Sequence, residues 1–222
     1  MNPVARVTRY LLADLRPFSR YVLGMPLRAY QWGPAQAILD SVLHRRGLTF
    51  VVMMARQAGK NELSAQLEAY LLNLFQRVGG SIVKASPTFK PQTVNSLRRL
   101  RARLTNAWNA ARFREEEGYI LRLGRAEALF FSAEPSAHVV GATASLLLEG
   151  DEAQDIEPQK WDKDFRPMAA STNATTVLYG TAWSERTLLA QTAATLRRLQ
   201  AQDGQRRVFV VPWDEVAAEV PA

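Results

Sequence analysis

The amino-acid sequence predicts an α/β domain with a mostly parallel central sheet. Short apolar runs alternate with segments of helical period, and polar loops follow the apolar runs at their carboxyl ends. A chain of 222 residues is long enough to bury a core without disulfides. Because there is no cysteine and only two histidines, disulfide frameworks, cysteine-ligated metals, iron–sulfur clusters and thiol catalysis are excluded. With no apolar run near the ~20 residues of a bilayer span and no signal-peptide pattern, we expect a soluble intracellular protein.

The predicted elements follow one another in a simple order. Apolar runs predict strands at 48–54, 81–85, 145–148, 176–179 and 207–212, and a hairpin at 119–123 and 127–132 that turns near Gly124. Helical periodicity predicts helices at 61–78, 94–111 and 184–202. The tail at 213–222 shows no packing pattern, which predicts the start of a linker.

The charge of the chain is basic and unevenly distributed. The net charge is +7, and 23 of the 28 basic residues are arginine. Segments 1–48 and 90–125 are basic, whereas segment 149–164 is acidic. Arginine binds phosphates through two parallel hydrogen bonds, so this bias favours a nucleic-acid partner. A GC-rich genome explains the ratio of arginine to lysine equally well.

The loop after the first strand carries the first candidate site. It consists of Arg56-Gln57-Ala58-Gly59-Lys60-Asn61 and opens the helix at 61–78. Such a loop presents backbone N–H groups to phosphates, and its lysine reaches the β- and γ-phosphate oxygens. The strict pattern requires Gly where this chain has Met54 and Ser or Thr where it has Asn61. Taken alone, the loop is also typical of a surface turn.

The acidic end of the strand at 145–148 carries the second candidate site. Asp151 and Glu152 follow an apolar run, and ligands of open α/β sheets lie at the carboxyl ends of strands. One carboxylate would hold Mg²⁺ through its water shell. The next would orient and polarise the attacking water. Glu149 and Gly150 interrupt the apolar run early, so the alternative is a solvated acidic loop.

Two single residues complete the pattern. Gln31 lies 29 residues before Lys60, and its amide pairs with both N6–H and N7 of adenine, although most glutamines are simply exposed. Thr181 follows the strand at 176–179, and its hydroxyl would contact the γ-phosphate region or the catalytic glutamate. The alternative there is an ordinary turn with Ser184 as a helix N-cap. The order of all four segments along the chain indicates a nucleotide-hydrolysing site.

These residues resemble the ATPase (motor) domain of the large terminase subunit of tailed double-stranded DNA bacteriophages, over residues 30–213. The family has a deviant Walker A motif with an early Arg, similar to Arg56, and an adenine-reading Gln upstream, similar to Gln31. Its Walker B motif ends in Asp-Glu, similar to Asp151-Glu152. Its coupling motif contains a Thr, similar to Thr181, and the segment through 140–143 also looks like the family's.

The resemblance implies ATP and Mg²⁺ as cofactors and a role for each candidate residue. Glu152 would activate water, Arg56 would sense the γ-phosphate, and Thr181 would couple product release to movement. Asp151 and Asn61 would organise Mg²⁺. The implied nucleotide-binding residues are Gln31, Gln57, Ala58, Gly59, Lys60 and Asn61.

Two positions depart from the family pattern. Asn61 replaces the usual Ser or Thr and offers the metal or its waters a neutral, bulkier oxygen. Val140 stands where family members often carry an Arg proposed to reach a neighbouring subunit's nucleotide. Arg101 and Arg125 are then the candidates for this trans-acting arginine. Both are equally typical of solvated or DNA-facing residues.

The predicted protein is a P-loop NTPase of the additional-strand, catalytic-glutamate (ASCE, RecA-like) type. It would hydrolyse ATP to drive double-stranded viral DNA into a procapsid. The resemblance implies a ring of copies of this chain, a pentamer by family likeness, with a portal or procapsid and a small terminase subunit as further partners. We expect it in the host cytoplasm, docked at the procapsid, without a membrane.

The predicted organisation is a motor domain at 1–213, made of a helical region at 1–47 and a P-loop core at 48–213. The linker at 214–222 would lead to a nuclease domain, but no acidic cluster follows Trp213, so nuclease activity is not expected. DNA would be held by non-specific phosphate contacts that weaken with salt. The candidate contacts are four arginines of one helix, Arg98, Arg99, Arg101 and Arg103.

Two other functions stay open on the sequence. The segment 151–154 resembles a DEAD-type box and Gln31 a Q-motif, as in one RecA-like half of a superfamily 2 helicase. Such helicases bind ATP between two RecA domains, and only one is present here. Alternatively, the chain is a DNA-binding scaffold whose loop no longer binds nucleotide, because Met54 and Asn61 break the phosphate-loop pattern.

Overall fold

The computed structural model describes residues 2–137, 139, 141–181 and 184–219. Eight strands form one sheet in the order β3-β4-β5-β2-β6-β7-β1-β8. The six from β5 to β8 in this order pair in parallel, and β3 and β4 add an antiparallel edge. The strands are β1 (Thr49–Met54), β2 (Gly80–Ser86), β3 (Phe113–Glu116), β4 (Ile120–Leu123), β5 (Ala126–Ser132), β6 (Leu147–Gly150), β7 (Thr175–Gly180) and β8 (Val208–Val211). The predicted fold class is confirmed.

Helices lie on both faces of this sheet. Short π-helical turns occur at Phe18–Val22, Phe89–Thr93 and Trp161–Phe165. The helices are α1 (Pro3–Ala13), α2 (Leu15–Pro17), α3 (Ala29–Leu43), α4 (Lys60–Phe75), α5 (Val94–Leu104), α6 (Pro158–Lys160), α7 (Arg166–Ala170), α8 (Leu188–Asp203) and α9 (Trp213–Glu219). In the part of the chain that the structure describes, no helix is long and apolar enough to cross a bilayer.

The core consists of two apolar clusters on opposite faces of the sheet. Successive side chains of a strand point to opposite faces, so Phe50 and Val52 of β1 join one cluster and Val51 and Met53 join the other. Helices α3, α4, α5 and α9 cover the first face, and α7 and α8 cover the second. Helix α4 is buried on all sides over 63–73, which makes it the central helix of the first layer.

The prediction for the helix at 94–111 is wrong at its C-terminal end, because α5 ends at Leu104. Thr105 leaves the helical region with φ −78° and ψ 80°, and its hydroxyl donates to the Arg101 carbonyl at 2.8 Å. Side chains that bond the last carbonyls compete with continuation of the helix. The apolar stripe misleads beyond this point since Trp108 packs from a turn, donating its indole N–H to Asn73 at 2.9 Å.

The start of α8 and the presence of β3 also differ from the prediction. Helix α8 begins after Thr187, whose hydroxyl accepts from the Ala190 N–H at 3.2 Å, so Thr187 and not Ser184 is the N-cap. Strand β3 was not predicted, because its sequence Phe-Arg-Glu-Glu is half exposed at the sheet edge and lacks a buried face. Charged residues are common on edge strands, where they oppose pairing with other chains.

The tail is structured as far as residue 219, contrary to the expectation of no packing. Helix α9 buries Val216, and the carboxylate of Glu219 accepts from the backbone N–H groups of Ala29 at 3.0 Å and Tyr30 at 3.2 Å. Glu219 therefore caps the N-terminus of α3, which has no side-chain cap from its own N-cap residue. The division at 213 and the linker stay predictions.

Candidate active site

The carboxyl ends of three adjacent strands form the candidate site. Strands β6, β7 and β1 are neighbours in the sheet, and the loops that follow them contain Asp151-Glu152, Thr181 and residues 56–61. These loops open on a cavity of about 820 Å³. It is lined by residues 55–62 together with Arg99, Glu152, Gln154, Asp155 and Thr181. Most of the predicted site residues therefore meet in one cavity.

The loop at 56–61 has a conformation that its glycine makes accessible. Gln57 and Gly59 have positive φ angles of 63° and 78°, and α4 begins directly after Gly59. A Cβ added at Gly59 would lie 2.7 Å from Nε2 of Gln31, so a larger residue would strain the backbone and displace the Gln31 amide. The loop therefore places the start of α4, at Lys60 and Asn61, in the wall of the cavity, where a helix N-terminus can bind phosphate.

Residues of α3 hold this loop from behind. Tyr30 donates its hydroxyl to the Ala58 carbonyl at 3.0 Å, and Gln31 donates its amide to the Gly59 carbonyl at 3.0 Å. The Gln31 oxygen accepts from the Arg28 N–H at 2.9 Å, and the side chain is buried. Gln31 is thus at the loop but does not line the cavity. Its reading of adenine stays a prediction.

A chain of hydrogen bonds links the three loops. Lys60 donates to Oε1 of Glu152 at 2.7 Å, and Gln154 donates to Oε2 of Glu152 at 2.8 Å. The Gln154 oxygen accepts from the Thr181 N–H at 3.1 Å. The Thr181 hydroxyl donates to the Met54 carbonyl at 3.3 Å. Glu152 and Thr181 are therefore connected through Gln154.

Gly180 provides the space for this connection. A Cβ at Gly180 would lie 2.2 Å from Oε1 of Gln154 and 2.7 Å from Cδ2 of Leu189. Any side chain there would displace Gln154 and break its contact with Thr181. Gln154 was given no role in the sequence analysis, although its position two residues after Glu152 was a usable signal.

Glu152 is strained and ionised. Its φ of 48° is unusual for a residue other than glycine, and such strain concentrates at functional sites. Burial raises the pKa of Glu152, but hydrogen bonds from Lys60 and Gln154 and the charges of Lys60 and Arg56 outweigh burial, so the pKa is lowered overall. The surroundings of this carboxylate therefore favour its ionised, hydrogen-bond-accepting form.

Asp151 and Asn61 offer oxygen atoms of the kind that Mg²⁺ prefers. Asp151 is buried and accepts from the Ser96 hydroxyl at 3.0 Å and from the Glu152 N–H at 3.0 Å. Oδ1 of Asn61 is buried and has no hydrogen-bond partner. Within the described residues, no three His, Asp or Glu side chains form a metal cluster. Asn61 lines the cavity, whereas Asp151 lies behind it and does not. The buried, unpartnered oxygen of Asn61 is therefore the observation that fits a metal ligand.

The four arginines of α5 differ in their surroundings. Arg99 lines the cavity, with Nη1 3.5 Å from Glu62, and Arg98 is exposed. Arg103 pairs with Glu62 at 3.3 Å, and Arg101 pairs with Glu115. Thus Arg99 was placed among the DNA contacts by sequence, but the structure places it beside the loop at 56–61.

The two trans-acting candidates lie outside the cavity of their own subunit. Arg101 is held by Glu115 of β3, and Arg125 precedes β5, at the sheet edge opposite the carboxyl ends. Neither position tests a contact with a neighbouring subunit, so the trans role stays a prediction. Val140, the third position concerned, lies outside the described residues.

The chain combines a mostly parallel eight-stranded sheet flanked by helices with a glycine-containing loop between β1 and α4 and the paired acidic residues Asp151-Glu152 after β6. Several solved structures with a similar fold are bacteriophage large terminases. The HK97 large terminase is 17% identical, with 93% of this chain and 43% of that chain covered and a TM-score of 0.66. The large terminase of a thermophilic bacteriophage is 11% identical over 89% of this chain and 48% of that chain, with a TM-score of 0.59.

The ATPase domain of the Thermus phage P74-26 large terminase is also similar. It is 18% identical over 74% of this chain and 68% of that domain chain, with a TM-score of 0.56. The chain thus has the fold of a large terminase ATPase domain and spans less than half the length of the first two terminases. No protein-family model and no curated protein matches the sequence.

Proposed function

We propose that the chain is the ATP-hydrolysing motor domain of a large terminase, which drives double-stranded viral DNA into a procapsid. The observation that carries the proposal is the 2.7 Å contact of Lys60 with Glu152, between the loop at 56–61 and the end of β6. It unites a phosphate-binding cation with a water-activating carboxylate in one cavity. The fold supports the proposal, and a second structure of the thermophilic-phage large terminase (TM-score 0.58, 11% identical) is a complex with ADP.

The cavity suits a nucleotide in size and charge. Ligand pockets commonly enclose about 300–1,000 Å³, and this one encloses about 820 Å³. Lys60 and the N–H groups of residues 57–61 would bind the β- and γ-phosphates, with Arg56 near the γ-phosphate. When phosphate takes over Lys60, the contact with Glu152 is lost. Glu152 is then free to orient and polarise a water for attack.

Asp151 and Asn61 would hold Mg²⁺ and its waters. When bound, the metal neutralises charge that develops on the phosphate oxygens. Asp151 is already fixed by Ser96 and by the backbone of Glu152, so it is oriented before any ligand arrives. The unpartnered oxygen of Asn61 would gain a partner.

Thr181 would report hydrolysis to the rest of the molecule. Gln154 connects Glu152 to the Thr181 N–H, so movement of Glu152 reaches the end of β7 through one side chain. The remaining partners belong to the same proposal: non-specific contacts to duplex DNA, a ring of copies of this chain, the procapsid and a small terminase subunit. The net charge of +7 supports DNA contacts whose strength falls with salt.

The first test is ATP turnover per subunit, with ATP binding, for the wild type and for Glu152→Gln, Lys60→Ala and the control Glu157→Gln. Glu157 is an exposed acid five residues after Glu152 and outside the cavity. We expect Glu152→Gln to bind ATP without turnover. Loss of charge-assisted hydrogen bonds worth ~1.5–3 kcal/mol each predicts that Lys60→Ala binds ATP about tenfold to a hundredfold more weakly. The control should behave as the wild type.

Other outcomes point to the other functions. A wild type that neither binds nor hydrolyses ATP contradicts the motor and favours the DNA-binding scaffold. ATP-dependent strand displacement favours the helicase. Turnover per subunit that rises with protein concentration indicates that a neighbouring subunit completes the site, whereas constant turnover places every catalytic group in one chain.

A further inference from the structure

A charged cluster lies in the core directly beneath the candidate active site. It consists of five side chains, each at most 2% exposed, and we call it the buried cluster. Four elements contribute to it, namely α4, β2, β6 and β7. Its members are Ser64, Glu68, Lys84, Glu149 and Tyr179.

Lys84 is the centre of this cluster. Its ammonium donates to the Ser64 hydroxyl at 2.6 Å and to Glu68 at 3.1 Å, and it lies 3.9 Å from Oε2 of Glu149. Ser64 in turn donates to Oε1 of Glu149 at 2.8 Å. Lys84 and Glu149 are also register partners on the adjacent strands β2 and β6. The cluster therefore ties α4 to β6 through two routes.

Three members of the buried cluster lie two to four residues along the chain from a residue of the candidate site. Ser64 follows Lys60 by four residues, so it lies one turn further along the same face of α4. Glu149 precedes Asp151 by two residues, and Tyr179 precedes Thr181 by two. Two of the three loops that form the cavity thus adjoin elements, α4 and β6, that meet at one buried cation, Lys84.

Stability does not explain this arrangement. Transfer of a charge to the interior has a penalty of several kcal/mol per ion, and hydrophobic replacements of buried ion pairs are often neutral or stabilising. The cluster is also incompletely satisfied, because Oε2 of Glu68, Oε2 of Glu149 and the Tyr179 hydroxyl have no hydrogen-bond partner. Burial raises the pKa of Glu68 well above its usual range, because burial outweighs the attraction of Lys84. The contacts among Ser64, Lys84 and Glu149 instead fix the position of α4 against β6.

We propose that Lys84 is a positioning residue, which with Ser64 and Glu149 fixes the loop at 56–61 against Asp151-Glu152 and so sets the rate of hydrolysis. This inference rests on the proposed function. A misplacement of reacting groups by about 1 Å lowers rates by about a hundredfold. Loss of the ties should therefore lower kcat while ATP still binds at the open cavity.

The test compares kcat, the dissociation constant of ATP and the melting temperature of three variants with those of the wild type. Lys84→Met/Glu149→Gln removes both charges together, and Ser64→Ala removes the shared hydroxyl without changing any charge. The control Thr175→Val removes a buried side-chain contact, that with Ser41 at 2.7 Å, from the opposite end of β7. All are measured in the full chain with ATP and Mg²⁺.

We expect kcat to fall by about tenfold to a hundredfold in the double variant and by several-fold in Ser64→Ala, with ATP affinity within about threefold of the wild type. A fourth variant, Ser64→Thr, keeps the hydroxyl and should have the wild-type rate. Thr175→Val should lower only the melting temperature. If the double variant does not fold, Ser64→Ala decides alone.

Wild-type kcat in either cluster variant would overturn the positioning role, because the cluster would then only fill the core. A fall of kcat in Thr175→Val equal to that in the cluster variants would overturn it too, since any loss of stability would then have the same effect. A wild type without turnover would refute the proposed function itself, and this inference with it. The two failures are therefore distinguishable.

Discussion

Two lysine–glutamate contacts lie close together in this molecule, one open to the cavity and one sealed in the core. Lys60 and Glu152 are 2.7 Å apart, with 10% and 27% of their side chains exposed. Lys84 and Glu68 are 3.1 Å apart, with 2% and 0% exposed. The first contact lies where a ligand can replace either partner. Lys84 and Glu68 can change partners only within the buried cluster.

The pKa values of the two glutamates move in opposite directions. At Glu152, hydrogen bonds and charges overcome the effect of burial and lower the pKa, whereas at Glu68 burial exceeds the attraction of Lys84 and raises it. The surroundings of Glu152 therefore favour its charged form, whereas the burial of Glu68 favours its neutral form. The same two residue types serve as a displaceable contact in one place and as a fixed tie in the other.

Removal of one lysine at a time should separate the two contacts most clearly. Lys84→Met removes the buried cation from beside Glu68 and Glu149, so we expect a loss of about 3–5 kcal/mol in the free energy of unfolding. Lys60→Met breaks a partly exposed pair, so its loss should be about 1 kcal/mol or less. Urea unfolding followed by circular dichroism measures both. Equal losses would show that the two contacts do not differ in burial as described.

The contacts behind the loop at 56–61 should have an intermediate effect, on affinity. Tyr30→Phe removes one neutral hydrogen bond to Ala58, worth ~1 kcal/mol, so ATP and GTP should both bind about fivefold more weakly. Gln31→Ala should weaken ATP more than GTP if Gln31 reads adenine, as the sequence predicts. Titration of both nucleotides measures this difference. An equal loss for both would contradict adenine reading and leave Gln31 as a support of the loop.

The pH dependence of the open pair should give the smallest effect. The pKa of Glu152 is lowered from its ordinary value of 4.5, so its ionised form stabilises the fold above pH 4.5 and this contribution is lost as pH falls through the folded-state pKa. Wild type should exceed Glu152→Gln in unfolding free energy by about 1 kcal/mol or less at about pH 7. The difference should vanish in acid. A difference that grows as the pH falls would show that the pKa of Glu152 is raised and not lowered.

The sequence could predict what local patterns encode. The apolar runs of β1, β2, β6 and β7 and the periodicity of α4 and α8 are local, so their elements were found to within a few residues. Short or charged elements were missed, namely β3, α6, α7 and α9. Seven residues with one buried position, as in α9, are too few to show a period.

The candidate site divides in the same way. The loop at 56–61 and the pair Asp151-Glu152 have recognisable local chemistry, and the structure brings them together. Ser96 and Arg99 were not assigned there, because only packing of α5 against β6 and α4 reveals their partners. The burial of Lys84 could not be predicted from the sequence for a similar reason. A lysine within a short strand is ordinarily solvated, and its burial depends on a strand order that no local pattern shows.

The cap that Glu219 places on α3 gives the molecule a short mechanical route. Tension applied along α9 would pull on the N–H groups of Ala29 and Tyr30, and the hydroxyl of Tyr30 is bonded to the Ala58 carbonyl at 3.0 Å. Force at residue 219 would thus deform the loop at 56–61 without crossing the sheet. A load on this end of the domain would then weaken or strengthen ligand binding in the cavity. Ligand binding would in turn change how this end of the domain responds to the load.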